Sequence, residues 1–171
     1  MLRAMDCDSL PFSVRTGCPE EDALIAEHFR QMWRDNGIPE AQLCRAWEEN
    51  VLRFVSSARQ GLQYRSFVAE LCAGQVVGSA SCQLFAGLYP NILEARQRQY
   101  GYIWGVYVVP EQRRRGLATA LTAAALDYLR GIGCTHALLH ASPSGRPVYA
   151  GLRFQPTNEL RLDLSELQPP S

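Results

Sequence analysis

The stretch that most limits the fold runs from Tyr100 to His140. It opens with YGYIWGVYVV, which is nearly all apolar or aromatic, as expected for a central strand buried in a sheet. Pro110 closes that run. Arg113, Arg114 and Arg115 follow, and Gly116 opens an alanine-rich segment in which Leu117, Leu121, Ala124, Ala125 and Tyr128 share one helical stripe. Gly131 is a natural stop, and HALLH (His136 to His140) reads as a short buried strand. Strand, helix and strand in this order make a right-handed crossover between parallel strands. The chain is therefore expected to be α/β, with a sheet that is at least partly parallel.

The remaining segments fit around that unit. FSVRTG reads as an opening strand (Phe12 to Gly17). Pro19 to Gly37 has Pro near its start, acidic residues in the first turn and Asn36-Gly37 as its stop, which is helix grammar. Leu24, Ile25, Phe29, Met32 and Trp33 form its apolar face. A second helix is expected over Glu40 to Arg59, with Leu43, Trp47, Val51, Phe54 and Val55 facing inward. QYRSFVAEL and QVVGSASCQLF are strands joined by a hairpin-like Cys72-Ala73-Gly74. Residues 86–99 read as an irregular excursion with a short helix, RPVYAGL as a short helix, and Glu159 to Leu164 as a last alternating strand. With no repeat or linker, residues 1–171 read as one α/β domain, with 1–11 and 166–171 as loose termini.

Charge excludes some functions. Lys+Arg and Asp+Glu are both 17, so the footprint of a general nucleic-acid binder is missing. The six cysteines contain no C-x-x-C pair, which supports neither a zinc site nor a disulfide framework and suits a cytoplasmic protein with free thiols. No apolar run approaches the ~20 residues of a membrane span. His136 and His140 lie on a strand, so their spacing makes no chelating pair, and no metal is expected.

Three arginines before a helix N-terminus oppose the positive end of the helix dipole. Either they make a solvated turn or an anion sits against them. A helix start with free N–H groups, opened by a glycine without a Cβ, suits a phosphate. Neither G-x-x-x-x-G-K-[ST] nor G-x-G-x-x-G is present.

Arg113-x-x-Gly116-x-Ala118 resembles the [Q/R]-x-x-G-x-[G/A] pyrophosphate loop of the GNAT superfamily of acyl-CoA-dependent N-acetyltransferases. VYVVP stands directly before the loop, as in that family. ASPSGRPVYAGLRF resembles the family's second cofactor element, with Tyr149 and Phe154 at the usual spacing and Arg153 at the usual glycine position. The order of elements over residues 12–164 is also similar. The resemblance implies a GNAT fold: a mixed central β-sheet with splayed parallel strands, flanked by helices. It implies acetyl-CoA as co-substrate, paired through the backbone of Val106, Tyr107 and Val108. The pyrophosphate would lie on the N–H groups of Arg114, Arg115, Gly116, Leu117, Ala118 and Thr119. Arg113 and Arg115 would be side-chain partners, with Ser142 and Arg146 contacting the cofactor from the next loop.

The resemblance also implies transfer to a primary amine by direct attack in a ternary complex. The Val108 N–H is then the oxyanion donor. Tyr149 is the general acid, a phenol of pKa about 10 beside a thiol of about 8.5. The position where some members carry a glutamate base is Tyr102, a poor base near pH 7. Glu94, Glu70, His28 and Asp35 are weaker candidates, each read first as a packing or solvated residue. The acceptor is expected to be a small-molecule amine, and Trp33 with Tyr89 would suit an apolar or aromatic one. A protein N-terminus or lysine, or a non-catalytic acyl-CoA sensor on the same fold, is the alternative. The family also makes a homodimer a possible assembly.

Overall fold

A computed structural model describes residues 12–72, 74–87 and 93–164. Its centre is a five-stranded sheet in the order β1 (Phe12–Thr16), β2 (Arg65–Leu71), β3 (Val76–Leu84), β4 (Tyr100–Val108) and β5 (His136–Leu138). The first four strands pair antiparallel, and β4 with β5 is parallel. The helix α3 (Leu117–Gly131) crosses between β4 and β5 and covers one face of the sheet. Leu117, Leu121 and Leu129 are buried there against Phe67, Val77 and Ile103. Each such leucine contributes roughly 1.5–3 kcal/mol by leaving water. The other face carries α1 (Asp22–Asp35) and α2 (Trp47–Gly61), whose buried residues include Ile25, Ala26, Val55 and Ala58.

The start of α1 is set by its neighbours. Pro19–Glu21 makes a 3-10 turn in which Glu21 accepts the Cys18 N–H at 2.9 Å. Arg15 on β1 donates to the same carboxylate at 2.7 Å and holds it well below the usual carboxylate range, to about 2.

Several expected elements differ. α2 begins at Trp47, because Pro39 and a 3-10 turn over Glu40–Gln42 occupy the expected first turn. Trp33 and Phe54 stay 43 % exposed on the apolar faces of α1 and α2. Both rings border a cleft instead of lying buried on the sheet. β5 stops at Leu138 rather than His140. Residues 93–99 hold only a turn, and residues 88–92, with Tyr89, lie outside the described residues. So do Ala73 and the two termini expected to be loose.

The expected strand over Glu159 to Leu164 does not form, and its alternating Leu160 and Leu162 are 95 % and 65 % exposed. Alternation prepares a strand to bury one face, but a strand also needs a neighbour's N–H and C=O groups. β5 is too short and turns away too early to supply that edge.

Candidate active site

The strands β4 and β5 pair only over Tyr100–Tyr102 and His136–Leu138. Beyond Tyr102 they part, and residues 139–142 run off along one wall of a cleft of about 1570 Å³. β4 forms the other wall. Among the described residues, this divergence leaves the open edge of β4 without a strand partner from Ile103 onward.

A bulge controls which groups meet the cleft. Ser79 faces Tyr107 while Ser81 faces Trp104, so two residues of β4, Gly105 and Val106, oppose Ala80 alone. Gly105 has φ +62°, a left-handed conformation that a side chain resists. The extra residue reverses the alternation of the strand. Tyr102, Trp104 and Tyr107 consequently face the α1 side, and Val108 packs on the α3 side. A glycine inside a strand pattern is the signal for such a bulge, and the sequence reading passed over it.

Backbone alternation also orients Val108. The Val109 N–H donates to the Val77 carbonyl at 2.9 Å, toward β3. The N–H and C=O of Val108 must then point to the open edge, and there its carbonyl accepts Arg113 Nε at 2.9 Å.

The loop after β4 reaches α3 through two left-handed residues, Arg114 (φ +65°) and Gly116 (φ +84°). Gly116 is the N-cap of α3, and a Cβ there would meet nothing within 4 Å. The first-turn N–H groups of Leu117, Ala118 and Thr119 have no helical acceptor by geometry, so this open surface attracts anions. The three arginines do not share one role. Arg113 is ion-paired with Asp35, donates to Val108 and lies 5.6 Å from the Tyr107 ring centre. Arg114 and Arg115 are exposed beside the helix start.

Across the cleft, Ser142, Arg146 and Tyr149 line the β5 side, with Arg146 and Tyr149 on α4 (Arg146–Gly151). Tyr149 is braced by Phe154: the rings meet edge to face at 5.8 Å, and the Phe154 N–H donates to the Tyr149 carbonyl at 2.9 Å. That bond and Arg153 N–H to Ala150 O form a Schellman-type helix end. Arg153 adopts φ +67° there, so an arginine takes the left-handed turn usually given to glycine. Burial pushes the Tyr149 phenol upward, which keeps it protonated as a donor.

The floor is aromatic. Trp104 meets Phe29 at 5.0 Å and Phe54 at 5.8 Å, both edge to face, while its indole N–H donates to Gln83 at 2.7 Å. Trp33 stands next to Phe29 at 6.1 Å. The two carboxylates that line this cleft, Asp35 and Glu159, are engaged by Arg113 and His140.

Of the four weaker base candidates, Asp35 lines the cleft in its pair with Arg113, and the other three fall elsewhere. His28 is buried on α1, hydrogen-bonded to Ser79 Oγ at 2.9 Å and stacked on Tyr107. Burial lowers its pKa. Glu70 is held by Arg15 at 2.6 Å on the β1–β2 pair, and Glu94 pairs with Arg96 in solvent. None of these three lines the cleft. Sequence reasoning missed His140: the Tyr102 hydroxyl lies 2.5 Å from its Nδ1, and its Nε2 is 3.3 Å from Glu159 Oε1. Among the described residues, no group of His, Cys, Asp and Glu could hold a metal ion, and no helix is long and apolar enough to cross a membrane.

Comparison with known proteins agrees with this geometry. The acetyltransferase (GNAT) family matches residues 24–150. No curated protein matches the chain. Among solved structures, a GCN5-related N-acetyltransferase from Ralstonia eutropha JMP134 is 25 % identical with a TM-score of 0.78, covering 91 % of this chain and 99 % of that one. A protein from Clostridium acetobutylicum described as a predicted acetyltransferase, with acetyl-CoA, is 24 % identical at TM-score 0.75, covering 93 % and 100 %. The aminoglycoside N-acetyltransferase AAC(6')-Iy in complex with CoA is 20 % identical at TM-score 0.63, covering 93 % and 97 %.

Proposed function

Because the chain belongs to the GNAT acetyltransferase family, whose match spans residues 24–150, we propose that it moves an acetyl group from acetyl-CoA to the primary amine of a small molecule. The observation that carries this reading is the parting of β4 from β5 beside the N-terminus of α3. An open strand edge accepts an extended amide-bearing arm as a further strand, and the helix start beyond it accepts a pyrophosphate. The backbone of Val106, Tyr107 and Val108 would pair with the arm. The N–H groups from Arg114 to Thr119 would hold the phosphates, and Ser142 and Arg146 would border the cofactor from the opposite wall.

In the reaction the amine attacks the thioester carbonyl directly. The Val108 N–H, turned to the open edge, stabilises the oxyanion. Tyr149 supplies a proton to the departing thiolate.

The acceptor wall is built for a monoamine with an aromatic or apolar body. Phe29, Trp33, Phe54 and Trp104 offer ring faces and edges, and Asp35, which could meet a second cation, is already paired with Arg113. This differs from the aminoglycoside acceptor of AAC(6')-Iy, whose 20 % identity extends to the fold alone.

The test is a thermal melt with acetyl-CoA, followed by thiol release with arylalkyl monoamines, polyamines and peptides. Acetyl-CoA at about 100 times its Kd adds about 2.7 kcal/mol, a rise of about 5–10 °C for a chain of this size. No shift at saturation would end the reading. A shift without thiol release would leave an acyl-CoA sensor, and release only with peptides would name a protein acceptor.

A further inference from the structure

The structure assigns the general base of this site: we propose that His140 takes the proton of the acceptor amine through the hydroxyl of Tyr102, while Glu159 holds the imidazole in position. This rests on the acetyltransferase reading above, and it supplies what that reading lacks.

Tyr102 is the last residue of β4 to pair with β5, so its side chain stands where the two strands separate. His140 follows the end of β5 by two residues and reaches back across the fork. The Tyr102 hydroxyl lies within hydrogen-bond reach of His140 Nδ1, at 2.5 Å. A phenol donates to an imidazole lone pair, which leaves the imidazole proton on Nε2, facing Glu159 Oε1 at 3.3 Å. All three side chains line the cleft that also holds Tyr149. The chain of contacts therefore runs from the apex of the fork outward to solvent, since both His140 and Glu159 are largely exposed.

The proton count closes. Before the attack, one proton of the substrate ammonium passes through water to Tyr102 Oη as the Tyr102 proton passes to Nδ1. The freed amine then bonds to the acetyl carbon as the C–S bond breaks, and its second proton makes up for the one Tyr149 gives the thiolate. Tyr102 ends unchanged, His140 becomes an imidazolium, and the carboxylate of Glu159 balances the new charge. The exposed imidazolium then returns its proton to water. Burial pushes the Tyr102 phenol upward, so the residue itself would not stay ionised as the base. His140 touches Tyr102 on β4 and Glu159 on the C-terminal segment, and the other ionisable groups lining the same cleft are Asp35 on α1, Arg146 and Tyr149 on α4, and Arg161.

The experiment measures thiol release from acetyl-CoA with 2-phenylethylamine as the probe acceptor, across pH, for the wild type and the variants His140→Gln, Tyr102→Phe and Glu159→Gln. His140→Gln is expected to lose about a hundredfold in kcat near neutral pH. It should recover toward high pH, where the amine is already free, while the melting shift with acetyl-CoA stays. Tyr102→Phe should lose as much, because its hydroxyl carries the proton. Glu159→Gln, a change at a positioning residue, should move the acidic limb of kcat/KM to lower pH, since the imidazolium loses its counter-charge. A His140→Gln enzyme within twofold of wild type with the same acidic limb would overturn the relay. A wild type that binds no acetyl-CoA would instead remove the reading on which the relay rests.

Discussion

Arg113 and Asp35 join the two halves of the cleft. The arginine belongs to the loop before α3, the aspartate is the last residue of α1, and their ion pair bridges 78 positions of sequence. The same guanidinium donates to the Val108 carbonyl, so the loop, the end of β4 and the acceptor-side helix are held by one side chain.

Arg113→Ala is therefore expected to act mainly on stability. The ion pair is half exposed and contributes little, but the bond to Val108 is charge-assisted, and together they are worth about 1 kcal/mol. Chemical denaturation should show that loss. Acetyl-CoA affinity should suffer more from Arg114→Ala. The reverse ranking, read by calorimetric titration, would mean that Arg113 leaves Asp35 to bind phosphate.

Gly116→Ala places a side chain at φ +84°. The strain costs roughly 1–2 kcal/mol, although the added methyl would touch nothing in the protein. The methyl would instead occupy the open surface over the helix start. Weaker acetyl-CoA binding, beyond the loss of stability, is the expected result of a titration. Unchanged affinity would show that the phosphates do not approach this backbone.

Tyr149→Phe keeps the ring packed on Phe154 and removes only the hydroxyl. Turnover should fall about a hundredfold if the phenol protonates the leaving thiolate. The melting shift with acetyl-CoA should persist. A rate within twofold of wild type would remove the acid role.

His28 makes stability depend on pH. Its folded pKa is depressed by burial, so the unfolded chain binds the proton more readily. Stability contributed by the neutral imidazole is fully present above the unfolded value of about 6.5 and is lost as pH falls below it. Melting temperatures should drop between about pH 7 and 5 in the wild type. The drop should be smaller in His28→Gln, where nothing titrates at that position.

Arg153→Gly is expected to stabilise. Relief of the left-handed turn is partly offset by the greater freedom of unfolded glycine, leaving a gain of about 0.5–1 kcal/mol. A denaturation midpoint at or below that of the wild type would show that the arginine side chain stabilises this turn by a contact of its own.

The residues of the crossover were readable in order because each signal is local. The apolar run of β4, the glycine at the helix start and the stripe of α3 report on a residue's own strand, turn or helical face. Tyr149, Ser142, Arg146 and Val106, chosen from motif positions, all border the one cleft. The Gly105 bulge was also written in the chain, as a lone glycine inside a strand.

What sequence could not contain was the meeting of distant groups. Tyr102 and His140 are 38 residues apart, and their contact exists only because β5 ends early and swings its next residues across the fork. The same early ending leaves Glu159 to Leu164 without a strand edge, so an alternating pattern stays unpaired and Glu159 reaches the histidine instead. Periodicity determined which residues can form strands and helices here. Register and the angle at which two strands part decided which of them touch, because those depend on the packing of the whole sheet rather than on any one segment.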